Sequence, residues 1–139
     1  MAISILTDAM VIVNGVTLSD HANSVTIEDT RDSVDVTAFG ATNKAIAKGL
    51  GDAKITVQFF QDFAAGKIHA TLQPLIGSSS TVQIEVRPTS AARSATNPAA
   101  VMQGLLMNYT MLGGGVGDAS TITAEFDNGS QTGMTYPTS

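Results

Sequence analysis

In Thr81-Val-Gln-Ile-Glu-Val-Arg87 every second residue is apolar. A period of two suits an extended strand with one buried face and cannot gather its apolar side chains on one side of a helix. The alternation returns in residues 53–60, where Ile55, Val57 and Phe59 fall on one face and Lys54, Thr56 and Gln58 on the other. Residues 24–29 and 34–39 repeat it, and Thr30-Arg-Asp-Ser33 reads as the turn between them. Asn14-Gly15 separates two short apolar runs, and Asn-Gly favours the positive φ angles of a two-residue hairpin turn. Residues 100–112 and 120–126 read as two further strands joined through Gly113-Gly-Gly-Val-Gly-Asp118.

Residues 62–77 depart from this period. Ile68, Leu72 and Ile76 recur every four positions, which aligns them along one side of a helix. Asp62 is placed to cap its start and Gly77 to end it. Pro74 lacks the N–H that a helix interior needs, so a stop near Gln73 is expected. The expected fold is therefore mainly β: a β-sandwich or flattened barrel with one short flanking α-helix lying over an edge or open end of the sheet.

A chain of 139 residues fits a single domain, taken as 1–139, that buries roughly two-thirds of its unfolded surface. Without cysteine there is neither a disulfide framework nor a thiolate metal site. No basic segment precedes the short apolar run at the N-terminus, and no apolar run approaches the length of a bilayer span, so a soluble protein without a membrane partner is expected. The net charge of −5 is segregated. Residues 1–35 carry six acids against Arg31, residues 36–93 carry six bases against three acids, and residues 94–139 carry three acids and no base. This balance disfavours tight nucleic-acid binding, which needs clustered Lys and Arg. The segregation has two readings: the solvated faces of a soluble domain, or basic and acidic segments that meet across copies of the chain.

Catalytic patterns are missing. His21 and His69 belong to no metal-ligand spacing. The acids of residues 28–35 lack the central glycine and closing glutamate of a calcium loop. The glycines at 113–117 precede no Gly-Lys-Ser/Thr and open no helix. No nucleophile, base and orienting group assemble, so neither an enzyme nor a cofactor nor a metal is expected.

The connection Phe39-Gly-Ala-Thr-Asn-Lys-Ala-Ile-Ala-Lys-Gly-Leu-Gly-Asp52 is far longer than a hairpin needs. It is followed by Ile55-Thr-Val-Gln-Phe-Phe-Gln-Asp-Phe63, by the short helix through Leu72-Gln-Pro-Leu75 and by Thr81-Val-Gln-Ile-Glu-Val-Arg-Pro-Thr-Ser90, and it is preceded by Val34-Asp-Val-Thr-Ala-Phe-Gly40. In this order the elements resemble the tail tube (major tail) proteins of long-tailed bacteriophages, especially those of actinobacterial hosts, over roughly residues 10–126. The order of elements carries the resemblance more than any single motif.

The resemblance implies a structural virion protein, assembled in the host cytoplasm, that stacks as hexameric rings into a tail tube and conducts DNA during ejection. Its implied partners are copies of itself, the tape-measure protein and tail-completion proteins, with DNA passing but not bound tightly. It also implies that residues 40–52 form a loop that reaches onto neighbouring subunits, with Phe39, Lys44, Ile46, Lys48 and Leu50 as candidate interface residues. Gly40, Gly49 and Gly51 let such a loop bend closely around a partner. An ordinary surface loop is the alternative.

Acids repeated around a channel wall repel the phosphate backbone and keep a duplex from sticking. Alternation sets Asp35 opposite Val34 and Val36, and Glu85 opposite Ile84 and Val86, so both are expected to avoid the core and are the candidate lumen acids. Residues 127–139 read as a C-terminal tail that orders against the next ring or stays free. A head-decoration or capsid-stabilising protein, a single-ring tail terminator or connector, and a small-ligand module share the small β domain and the missing catalytic groups. Electron microscopy of the concentrated protein separates tubes, single rings and capped shells by morphology.

Overall fold

The computed structural model describes residues 3–139. Its alternating segments become seven strands: β1 (Met10–Val13), β2 (Val16–Thr17), β3 (Ala22–Asp35), β4 (Ile46–Phe60), β5 (Val82–Arg87), β6 (Ala100–Tyr109) and β7 (Thr121–Asn128). One helix, α1 (Ile68–Ile76), lies between β4 and β5. All strands join one antiparallel sheet in the order β2-β1-β5-β6-β7-β4-β3. Asn14 and Gly15 take positive φ angles of 51° and 82° and close the β1–β2 hairpin as the Asn-Gly dipeptide requires.

The sheet curls over itself. Val11 and Val13 of β1 share a single core with Ile55, Val57 and Phe59 of β4, Ile84 of β5, Met102 of β6, and Ile122 and Phe126 of β7. Each such fully buried side chain contributes about 1.5–3 kcal/mol relative to exposure. The curl brings β3 opposite β5, where Leu6, Ala9, Val25, Ile27, Val86 and Ala100 line an apolar groove of about 300 Å³. Ser4, Leu6 and Ala9 of the N-terminal segment thus lie along this groove between β3 and β5.

The helix departs from four expectations. It packs against β6, a central strand, which overturns the edge half of the expected placement over an edge or open end. Its inward face is Ile68 and Leu72, with Leu75 packed against the core, while Ile76 is exposed. Pro74 sits inside it, and the helix runs on to Ile76. Proline removes only one hydrogen bond of its own, and the packing of Leu75 holds the last turn. Asp62 does not cap α1 with its side chain. Its Oδ1 accepts from the N–H of Ala64 (2.9 Å), and its carbonyl accepts from the N–H of His69 (3.1 Å) in the first helical turn.

Candidate functional site

The expected turn 30–33 is strand, and so is the second half of the expected loop 40–52, from Ile46 on. β3 runs unbroken to Asp35 and β4 starts at Ile46, so the connection is only residues 36–45 and the two strands make one long hairpin. Polar residues such as Thr30, Arg31 and Asp32 suggest a turn because they break the apolar alternation. On a ribbon without a core beneath it, no such alternation is required.

β7 pairs with β4 only from Lys54 to Phe60. Beyond Ala53 the hairpin has no third strand and projects as a two-stranded arm. A lone two-stranded ribbon is marginal in water. Every residue from Thr30 to Lys48 is exposed, including Phe39 at 109% and Ile46 at 70%, with Leu50 beyond them at 83%. Val34 and Val36 add to this uncovered apolar surface. Lys44 and Lys48 form no ion pair among the described residues.

The arm is internally ordered at both ends. At the tip, the N–H of Val36 donates to the carbonyl of Ala45 (3.0 Å), and the N–H of Ala45 donates to Thr37 Oγ1 (2.8 Å). The N–H of Ala41 donates to the carbonyl of Ala38 (3.3 Å) around Gly40, whose φ of 86° favours glycine at that turn position. At the base, Gly51 stands opposite Arg31 and Lys48 opposite Ser33, so Gly49 and Leu50 bulge against Asp32. Arg31 lies across Gly51, where a Cβ would stand 2.7 Å from the guanidinium. Gly51 thus lies under the far end of its cross-strand neighbour, a placement that the strand pairing reveals and the sequence does not.

Arg31 Nη1 also donates to Asp29 Oδ1 (2.5 Å) and to the carbonyl of Thr30 (2.9 Å). Asp29 Oδ2 accepts from the Tyr136 hydroxyl at 2.6 Å. That hydrogen bond, with Arg31 second, holds the Asp29 carboxyl below its usual range and pushes the Tyr136 phenol up. Of the expected tail 127–139, Asp127 and Asn128 belong to β7, and the residues after them do not hang free. They lie along their own domain, with Thr135 bridging Val101, Ala99 donating to the Pro137 carbonyl (3.0 Å) and Met134 buried.

The two candidate lumen acids part company. Asp35 is exposed at the end of β3, where Oδ1 accepts from the N–H of Thr37 (2.9 Å), and this bond lowers its pKa. Glu85 points away from Ile84 and Val86 as alternation demands, yet it is only 5% exposed. The 88–99 connection folds over it. Arg93 pairs with both of its oxygens and Arg87 Nε donates to Oε2 (2.6 Å), so its pKa is lowered, chiefly by Arg93, despite burial. Asn97, also buried, organises that cover: its amide donates to the Ala91 carbonyl (2.9 Å) and its Oδ1 accepts from Thr89 (3.1 Å). Alternation assigns a face; only the covering segment decides exposure.

Neither histidine stands alone. His21 links Asp20 (Nδ1, 2.9 Å) to Asp62 (Nε2, 2.8 Å), and His69 contacts the Tyr109 hydroxyl (2.8 Å). Among the described residues no three His, Asp or Glu side chains gather as metal ligands, and no helix is long and apolar enough to cross a membrane.

No family model matches the chain, and no curated protein matches it by sequence. Solved structures do match its fold. A chain of the virion of a native gene transfer agent particle superposes with a TM-score of 0.74 at 9% identity, covering 94% of this chain and 95% of that one. A chain from the tail of an empty gene transfer agent particle, refined helically with C6 symmetry, gives 0.66 at 9% identity, covering 84% and 82%. The Dit protein of SPP1, from the hub adsorption apparatus of phages infecting Gram-positive hosts, gives 0.53 at 16% identity over 90% of this chain and 51% of that one. At these identities the shared property is the mainly antiparallel β fold with one helix.

Proposed function

We propose that this chain is a structural protein of a phage-type tail that polymerises as stacked hexameric rings into a tube conducting DNA. The observation that carries the proposal is the projecting β3–β4 arm, whose Phe39, Ile46 and Leu50 are left uncovered by the chain itself. An apolar, ordered projection of this kind gains stability only by burial against another molecule. The similarity in fold to a chain of a C6-symmetric tail supports a sixfold ring as its setting. Lys44, Lys48, Ile46, Phe39 and Leu50 are then the subunit contact, and Asp35, its carboxylate exposed, is assigned to the channel wall. Glu85 is withdrawn from that role because Arg87 and Arg93 neutralise it. The tape-measure and tail-completion proteins are the further partners of this reading.

Similarity to the SPP1 Dit protein favours one second reading, a hub that forms a single ring. Electron microscopy of the purified, concentrated protein tests both. Uniform tubes with sixfold rings support the tube, isolated rings support the hub, and a dispersed monomer at all concentrations overturns both.

A further inference from the structure

The foot of β3 carries a groove of about 440 Å³, bounded by the N-terminal segment, the 3-10 turn Ser19–His21 and the first residues of β3. Leu6, Ala9, Val11 and Val25 line it, and Asp8 and Asp20 stand beside them. Both acids are exposed. Asp8 accepts from the Ser90 hydroxyl (2.9 Å) and has no basic partner among the described residues. Asp20 is held by His21, with Lys67 more distant at 3.6 Å.

The arm tip carries the complementary set: an aromatic ring at Phe39, Ile46 nearby, and the two lysines 44 and 48. Groove and tip stand at opposite ends of β3, since ten residues of strand from Val25 to Asp35 span roughly 33 Å. A tip cannot reach its own groove without dismantling the β3–β4 ladder. A contact between two different patches on identical chains is heterologous, and such contacts close into rings or propagate as filaments.

We infer that the groove at the foot of β3 receives the β3–β4 tip of a second copy, with Phe39 entering the apolar lining and Lys44 lying beside Asp8 and Asp20. The inference rests on the self-assembly reading above and names the surface that the arm occupies. A buried aromatic anchor flanked by opposite charges gives affinity through the ring and register through the ions.

Replacing Phe39 by the photoreactive analogue p-benzoylphenylalanine keeps an aromatic side chain at the tip. Illumination after mixing with an isotopically labelled second copy is expected to yield cross-linked peptides joining position 39 to residues 6–9 or 19–25 of the labelled chain. Separately, Lys44→Asp is expected to lower the assembled fraction about tenfold, and Asp8→Lys in the same chain to restore most of it; tenfold corresponds to about 1.4 kcal/mol, within the range of close charge pairs at interfaces. Assembly with cross-links at any other patch, or to a different protein seated in the groove, overturns the inference, as does a charge swap without rescue. Microscopy of the same samples judges the tube reading separately. Groove cross-links in species that never form rings or tubes uphold the docking and overturn the tube, whereas tubes cross-linked elsewhere do the reverse.

Discussion

The Tyr136 hydroxyl donates to Asp29 at 2.6 Å across 107 positions of sequence, and so ties the C-terminal segment to the strand from which the arm springs. Asp29 in turn holds Arg31, which covers Gly51 on the opposite strand. Tyr136→Phe is expected to leave the fold intact, to raise the Asp29 pKa toward its ordinary value, and to speed amide hydrogen exchange at residues 29–31 and 134–137. NMR titration and exchange measure both. Unchanged exchange at the arm base would show that the bond anchors nothing.

The arm is separable from the core, because all the described core residues lie outside 30–52. Replacing residues 36–45 by an Asn-Gly turn is expected to leave a cooperatively folding monomer and to abolish rings and tubes. Circular dichroism reports the first outcome and electron microscopy the second. Tubes formed in unchanged yield would remove the arm from assembly.

Glu85 is a structural group. Glu85→Ala leaves Arg87 and Arg93 without their shared acceptor, and a hydrogen bond to a charged group is worth about 1.5–3 kcal/mol, so loss of stability of that order is expected in urea unfolding. Glu85→Lys places a third cation among the two arginines and is expected to fail to fold. A folded Glu85→Lys protein of normal stability would contradict the buried pairing seen here.

The His21 link between Asp20 and Asp62 makes stability depend on pH. Its pKa is raised above the ordinary 6.5, first by Asp20 and then by Asp62, while both acids are lowered. A raised histidine contributes stability in full below 6.5 that is lost as pH rises through its folded pKa; lowered carboxylates lose theirs as pH falls through their own folded values. Stability from this link is therefore expected to be greatest between the carboxylate range and about 6.5. Urea midpoints across pH 4–9 for the natural chain and for His21→Gln check it, and parallel profiles would dismiss the link.

Assembly through Lys44 and Lys48 is expected to weaken with salt, since exposed charges are screened over about 8 Å at physiological ionic strength. Light scattering at increasing sodium chloride measures this. Assembly that strengthens or stays constant would assign the contact to Phe39, Ile46 and Leu50 alone.

What the sequence by itself determined is local. Period-two runs announced the strands, Asn14-Gly15 the hairpin, and Ile68 with Leu72 the helix, because each depends on side chains a few residues apart on one element. The tertiary structure decided what depends on distant segments. Arg31 and Gly51 fit together only once β3 and β4 are in register, which turns an apparent turn and loop into one projecting ribbon. Glu85 has the alternation of an exposed acid, but Arg93 and Asn97 bring a later segment over it. Tyr136 belongs to an unpatterned tail until Asp29 gives its hydroxyl an acceptor. The arm residues proposed to meet another copy lie where no core imposes a pattern: their polar and apolar order answers to the surface of a second molecule, and a single sequence does not contain the geometry of that contact.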